Sequence, residues 1–142
     1  MRILGVDPGE KNIGLAISDP TGTIANPLTV VKHKSRPIDA ITISQIAAEN
    51  QVEHIVIGQA LDQENKPTFS GRRAARLGAA IRLLTQTPVV FWDESYSTQT
   101  AREARIKLGL SRQKRSGHLD DLAATVILQS YLDSNQNPAE RF

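Results

Sequence analysis

The stretch ILGVDPGEKNIGLAISD, residues 3–19, leaves its chain few ways to fold. Two apolar runs, Ile3-Leu4-Gly5-Val6 and Ile13-Gly14-Leu15-Ala16-Ile17, flank the link Asp7-Pro8-Gly9-Glu10-Lys11-Asn12. Pro and Gly in so short a polar link favour a turn, so the two runs become antiparallel partners in a hairpin. An aspartate follows each run, Asp7 after the first and Asp19 after the second. A carboxylate on a buried strand tip is either a polar turn residue or a group held on a rigid scaffold for chemistry.

Beyond the hairpin the pattern changes. Asp19-Pro20-Thr21-Gly22 is a turn, and Pro27-Leu28-Thr29-Val30-Val31 reads as a third short strand. Ser35-Arg36-Pro37 opens a helix that runs to about Asn50, with Ile43, Ile46 and Ala47 at helical spacing. His54-Ile55-Val56-Ile57-Gly58 is continuous apolar strand of the kind buried on both faces. Residues 70–84 read as a helix with Ala74, Leu77, Ile81 and Leu84 inward. A buried strand follows at Pro88-Val89-Val90-Phe91-Trp92, ending on Asp93-Glu94. Helices over residues 97–108 and 119–133 complete the chain. The order β-β-β-α-β-α-β-α-α predicts an α/β fold whose mixed five-stranded sheet carries helices on both faces. Residues 1–142 form one domain in this reading, with 134–142 as a tail. Two long polar loops, residues 59–69 and 111–118, are expected at the substrate.

A chain of 142 residues, 39% hydrophobic and 23% charged, can bury a core without staples. It has no cysteine, which excludes disulfides and thiolate chemistry. No apolar run approaches the roughly 20 residues of a membrane span, and the first residues lack the pattern of a signal peptide. A soluble, cytoplasmic protein is expected. The net charge of +2 says little, but its distribution says more. Arg102, Arg105, Lys107, Arg112, Lys114 and Arg115 are opposed only by Glu103, and Arg72, Arg73, Arg76 and Arg82 by no acid. Such clusters either face solvent or attract phosphate backbones. Aromatics are only 4% of the chain, so no platform of stacked bases is expected.

Three acids stand where chemistry would want them. Asp7 and Glu94 each follow a buried strand, and they emerge at one edge if those strands are parallel neighbours. Asp120 shares a helix line with Ala123, Ala124, Ile127 and Tyr131, whose face should pack on the sheet. An inward carboxylate there is costly without compensation. Each acid also has an ordinary reading: a turn at Asp7, a strand end at Glu94, a helix-dipole partner at Asp120. Together they suggest Mg²⁺ or Mn²⁺, which take oxygen ligands. Two such ions about 3.5–4 Å apart stabilise both oxygens of a phosphodiester cleavage. Asp93, Asp121 and Asp19 are open as further ligands. His33, His54 and His118 lack metal-ligand spacing. Ser95, Ser97 and Thr98 suit a helix cap. Gly5, Gly9 and Gly14 precede a strand rather than a helix, so they make no dinucleotide fingerprint.

The segments GVDPGEKNIGLAISD, VVFWDESYSTQTA and HLDDLAATVILQSYL resemble three signatures of the YqgF/RuvX family. Its members are regarded as pre-16S rRNA nucleases and were earlier described as Holliday-junction-resolvase-like. The resemblance implies a ribonuclease H-like fold, a divalent-metal-dependent nuclease and a role in ribosome biogenesis through rRNA processing. By motif it assigns Asp7, Glu94 and Asp120 as the catalytic, metal-holding acids. Asn12 and Ser95 stand where members often carry arginine, and Ala60 where proline is usual. Each lost arginine removes a bidentate phosphate anchor. Lys11, Arg72, Arg73, Lys114 and Arg115 are the candidates for binding nucleic acid. The expected partner is structured RNA, in a pre-ribosomal particle, or else branched DNA, with the protein a monomer or homodimer. The rival readings are a junction-type DNA resolvase, a non-catalytic nucleic-acid-binding module, and a nucleotide-binding fragment of the actin and sugar-kinase type.

Overall fold

The first hairpin forms as its turn dictates, with β1 (Arg2–Pro8) antiparallel to β2 (Asn12–Ser18) and Pro8 opposite Ile13. The computed structural model describes residues 1–97 and 119–136. In it, β3 (Ala25–Lys32) pairs antiparallel with β2, while β4 (Val52–Gln59) and β5 (Val89–Asp93) add in parallel on the other side of β1. The sheet order is β3-β2-β1-β4-β5. Three helices are described: α1 (Arg36–Glu49), α2 (Phe69–Arg82) and α3 (Leu119–Gln136). A 3₁₀ turn, Glu94–Ser97, follows β5. Beyond Ser97, the helix expected over 97–108 lies outside the described residues, as does the loop 111–118. The last helix reaches Gln136, three residues past the expected end.

Strand alternation sends side chains to two separate cores. Leu4, Val6, Leu15, Ile55 and Ile57 meet Ile43 and Ala47 of α1 and Ala74, Leu77 and Ile81 of α2. On the other face Ile3, Ala16 and Val56 meet Ala124, Leu128 and Leu132 of α3, with Val90, Trp92 and Tyr131 beside them. Ser35 caps α1 by accepting from the Ile38 amide, and Thr68 caps α2 by accepting from the Gly71 amide. Leu84 is 51% exposed rather than inward. The helix ends at Arg82 and Leu83 forms its cap, so residue 84 has left the helical period. Arg82 also departs from the basic cluster: it donates to the Val89 carbonyl at 2.5 Å and lies 5.2 Å over the Phe91 ring. It fastens α2 to β5.

The α3 face contains an aromatic group that titrates. Tyr131 lies edge-on to both Trp92 and His54, and its hydroxyl is 3.3 Å from His54 Nε2. Loss of solvent around His54 lowers its pKa from 6.5, partly offset by Glu53. A histidine depressed in the fold contributes stability above its unfolded pKa, and this is lost as pH falls through the folded value. Thermal melts should therefore show stability falling from pH 7.5 to 5.5, and His54→Gln should flatten that fall. No described helix is long and apolar enough to cross a membrane.

Candidate active site

Three parallel strands, β1, β4 and β5, end at one edge of the sheet, and the carboxylates gather there. Ile3, Gly5 and Asp7 alternate onto the α3 face of β1. Val90 and Trp92 do the same on β5, so Glu94, two residues on, leaves the sheet on that face as well. The two strands are parallel but not neighbours; β4 stands between them, and both still end at that edge. Gly58 bridges the gap by having no side chain. A Cβ there would stand 3.4 Å from Glu94 Cγ and Oε1 and 2.7 Å from Ile127 Cδ1. Across that space Glu94 forms a side-chain hydrogen bond with Asp7. Burial raises the Glu94 pKa above its usual 4.5 and the Asp93 charge adds to the rise, while the bond to Asp7 opposes it.

The third acid is placed by its backbone. The Ala124 carbonyl and Leu128 lie against Gly5. Farther along α3, Gln129 accepts from the Ala25 amide and donates to the Thr23 carbonyl, and Tyr131 meets His54. The helix therefore runs antiparallel to β1, and its first turn, with Asp120, lies at the edge where Asp7 emerges. The side chains of Asp120 and Asp121 are outside the described ones. Among the described side chains no three metal-ligating groups cluster.

The other candidate acids separate on geometry. Asp19 lies at the opposite edge, past the Leu4–Ile17 pair. The amides of Ile24 and Thr23 and the Thr21 hydroxyl hold its carboxyl far below the usual range. It is a turn residue. Asp93 alternates to the other face, and its Oδ1 accepts from the Ser95 amide at 2.9 Å, capping the 3₁₀ turn.

Around this edge stand the basic candidates. Lys11 is exposed in the turn between β1 and β2. Arg72 and Arg73 lie in the first turns of α2, which starts from the same edge because the loop after β4 folds back on itself, the Thr68 amide donating to the Ala60 carbonyl at 3.0 Å. In that loop Leu61 bridges Pro67, and Asp62 accepts from the amides of Glu64 and Lys66. Arg73 reaches Glu10 of the hairpin turn at 3.8 Å. Lys114 and Arg115, with His118, fall outside the described residues. Asn12 pairs with Lys32 and accepts from the Gly9 amide through its carbonyl.

Sequence reasoning missed Phe69. It is 69% exposed at the start of α2, with the Arg72 and Arg73 guanidinium groups 5.7 and 5.6 Å from its ring. The i+3 and i+4 spacing to those arginines was the available signal.

A mixed sheet of order β3-β2-β1-β4-β5 with two acids over the ends of β1 and β5 defines a ribonuclease H-like α/β protein. Solved structures agree on that fold. RuvC of T. thermophilus in complex with a Holliday junction substrate superimposes with a TM-score of 0.66 at 18% identity, over 96% of each chain. The fowlpox virus resolvase with Holliday junction DNA gives 0.55 at 14% identity, over 96% of this chain and 99% of that one.

The chain belongs to the RuvX family, described as a Holliday junction resolvase, whose profile matches residues 1–134. A relative from Caldanaerobacter subterraneus subsp. tengcongensis is 41% identical over 96% of this chain and 99% of its own. One from Clostridium botulinum (strain Alaska E43 / Type E3) is 40% identical over 94% and 97%. Both carry the name "Putative pre-16S rRNA nuclease".

Proposed function

We propose that this protein is a divalent-metal-dependent nuclease that hydrolyses phosphodiester bonds in the cytoplasm, maturing the 5′ end of pre-16S rRNA. The observation that carries the reading is the Asp7–Glu94 pair, brought together across Gly58 at the edge where α3 begins. Two carboxyls that share a hydrogen bond in a partly desolvated place form an all-oxygen donor set, which suits Mg²⁺ or Mn²⁺. Asp7 and Glu94, with Asp120, would hold the ions. When bound, such ions supply Lewis acidity at the attacking and leaving oxygens of the phosphodiester.

The chain's own groups do the rest. The ends of β1 and β5 fix Asp7 and Glu94 on rigid backbone, so little reorganisation is needed as charge develops. Lys11, Arg72 and Arg73, together with Lys114 and Arg115, hold backbone phosphates on either side of the bond to be cut. Phe69, flanked by its two arginines, offers a base an apolar face at the same edge.

The test runs the purified protein on precursor 16S rRNA and on a four-way DNA junction, with Mg²⁺ or Mn²⁺ supplied. Cleavage of the precursor is expected, and Asp7→Asn should remove it while leaving the fold intact by circular dichroism. A mutant that cut as fast as wild type would end the metal-site reading. Cleavage of the junction alone would favour a resolvase, in line with the family's description.

A further inference from the structure

The same edge continues past the carboxylates onto β3, where nothing so far has used the residues. The His33 amide donates to the Lys11 carbonyl at 2.8 Å, which ties the end of β3 to the hairpin turn. Lys32, His33, Lys34 and Arg36 follow one another there, all exposed, with Lys11 alongside. Among the described residues none of Lys11, Lys32, Lys34 and Arg36 forms an ion pair. Lys11, Lys32, Lys34 and Arg36, four basic side chains without a described acid partner on one sheet corner, repel one another, a cost a polyanion would remove.

This corner is built rather than frayed. Asp39 of α1 is 2% exposed, and a carboxylate so buried is costly unless it is bonded. It takes a hydrogen bond from the Lys34 amide at 3.1 Å and pairs with His33 Nδ1. Ser35 then caps α1. The segment 33–35 is thus clamped to the helix beneath it, and the clamp fixes the lysines on both sides of His33.

We infer that Lys11, Lys32, His33, Lys34 and Arg36 form a phosphate-binding strip that holds the nucleic-acid strand leading away from the carboxylate pair, with Asp39 as its positioning residue. The inference rests on the nuclease reading and extends it to a second contact. Lys32 lies two strands across and two residues beyond the Asp7 level, about 12 Å away at ordinary strand spacings. That is roughly three phosphates along a strand whose charges recur about every 3.4 Å of axis. The strip therefore grips a flank and not the cut bond itself.

The experiment measures binding of a labelled RNA hairpin and a four-way DNA junction in EDTA, across a salt series, and then cleavage with Mn²⁺. Lys32→Gln/Lys34→Gln should raise Kd about tenfold near 0.15 M salt and flatten the log K against log salt slope by about 1.5. Its kcat at saturating substrate should match wild type. Arg2→Gln, at the opposite end of β1, should change neither. Asp39→Asn keeps an acceptor for the Lys34 amide but loses the charge facing His33, and should raise KM about threefold at unchanged kcat. A loss confined to one probe assigns the strip to that substrate. Equal Kd and slope for the lysine variant and Arg2→Gln would overturn the inference while leaving the nuclease reading standing. A wild-type protein that neither bound nor cut either probe would remove both.

Discussion

Glu94→Gln is expected to lower cleavage by about three orders of magnitude or more, the scale of losing a group that stabilises transition-state charge. It should also raise the melting temperature of the metal-free protein. Both effects come from one arrangement. Glu94 sits partly desolvated against Asp7, with the Asp93 charge behind it, and its pKa is raised. An acid raised in the fold binds its proton more tightly folded than unfolded. Its stabilising contribution is complete below about pH 4.5, the unfolded value, and declines as pH rises through the folded one. As pH rises above that value the carboxyl in the fold becomes a burden that glutamine, isosteric and still able to bond Asp7, does not carry. The two proteins should thus melt alike near pH 4 and separate by a few degrees near pH 8. Adding Mn²⁺ should reverse the order, because a ligand stabilises the state that binds it by an amount that grows with the logarithm of its concentration relative to Kd. Scanning calorimetry at the two pH values, with and without Mn²⁺, checks this. A variant that melted below wild type in EDTA at pH 8 would mean that Glu94 is a structural acid.

How much of this was legible in the sequence depends on how local each signal was. The hairpin was, because Pro8 and Gly9 force the turn within six residues. The strand at β4 was, because burial on both faces leaves an unbroken apolar run, and β5, half-buried beyond Val89, was legible from its run of apolar residues as well. Their exits into Gln59 and Glu94 marked an edge, and Asp7 fell at the same one. Strand order was not legible: no local pattern says that β4 enters between β1 and β5. The part played by Gly58 follows only from that order, since its missing side chain matters because of who stands on either side. Asp19, which also follows an apolar run, stayed open as a further ligand until the pairing placed it at the opposite edge as a turn residue. Arg82 looked like one more charge of a basic face until β5 supplied a carbonyl and a ring. The His33–Asp39 clamp joins residues six apart across a strand end and a helix start, a spacing that no single periodicity describes.

The second large effect is expected at Gly5. Its α3 face lies so close to the helix that an added Cβ would fall 2.8 Å from Leu128 Cβ and 3.3 Å from the Ala124 carbonyl. Neither atom can turn aside, because both are fixed to the helix backbone. Gly5→Ala must lift α3 from the sheet, and overpacking of this kind costs about 1–3 kcal/mol. The displacement also reaches the site, since Asp120 lies only four residues before Ala124 on the same helix. Gly58→Ala makes an informative contrast. Its shortest clash is with Ile127 Cδ1, the free end of a side chain, which can rotate away at smaller cost. Its other contact is Glu94 itself, at 3.4 Å. Gly5→Ala should therefore lose several degrees of melting temperature and much of its activity together. Gly58→Ala should keep most of its stability while activity falls about tenfold or more, as expected when a reacting group is misplaced by a fraction of an ångström. Melting curves and initial rates on the same preparations separate the two. If Gly58→Ala cut at the wild-type rate, the bridge between Asp7 and Glu94 across β4 would not be what positions the carboxylates.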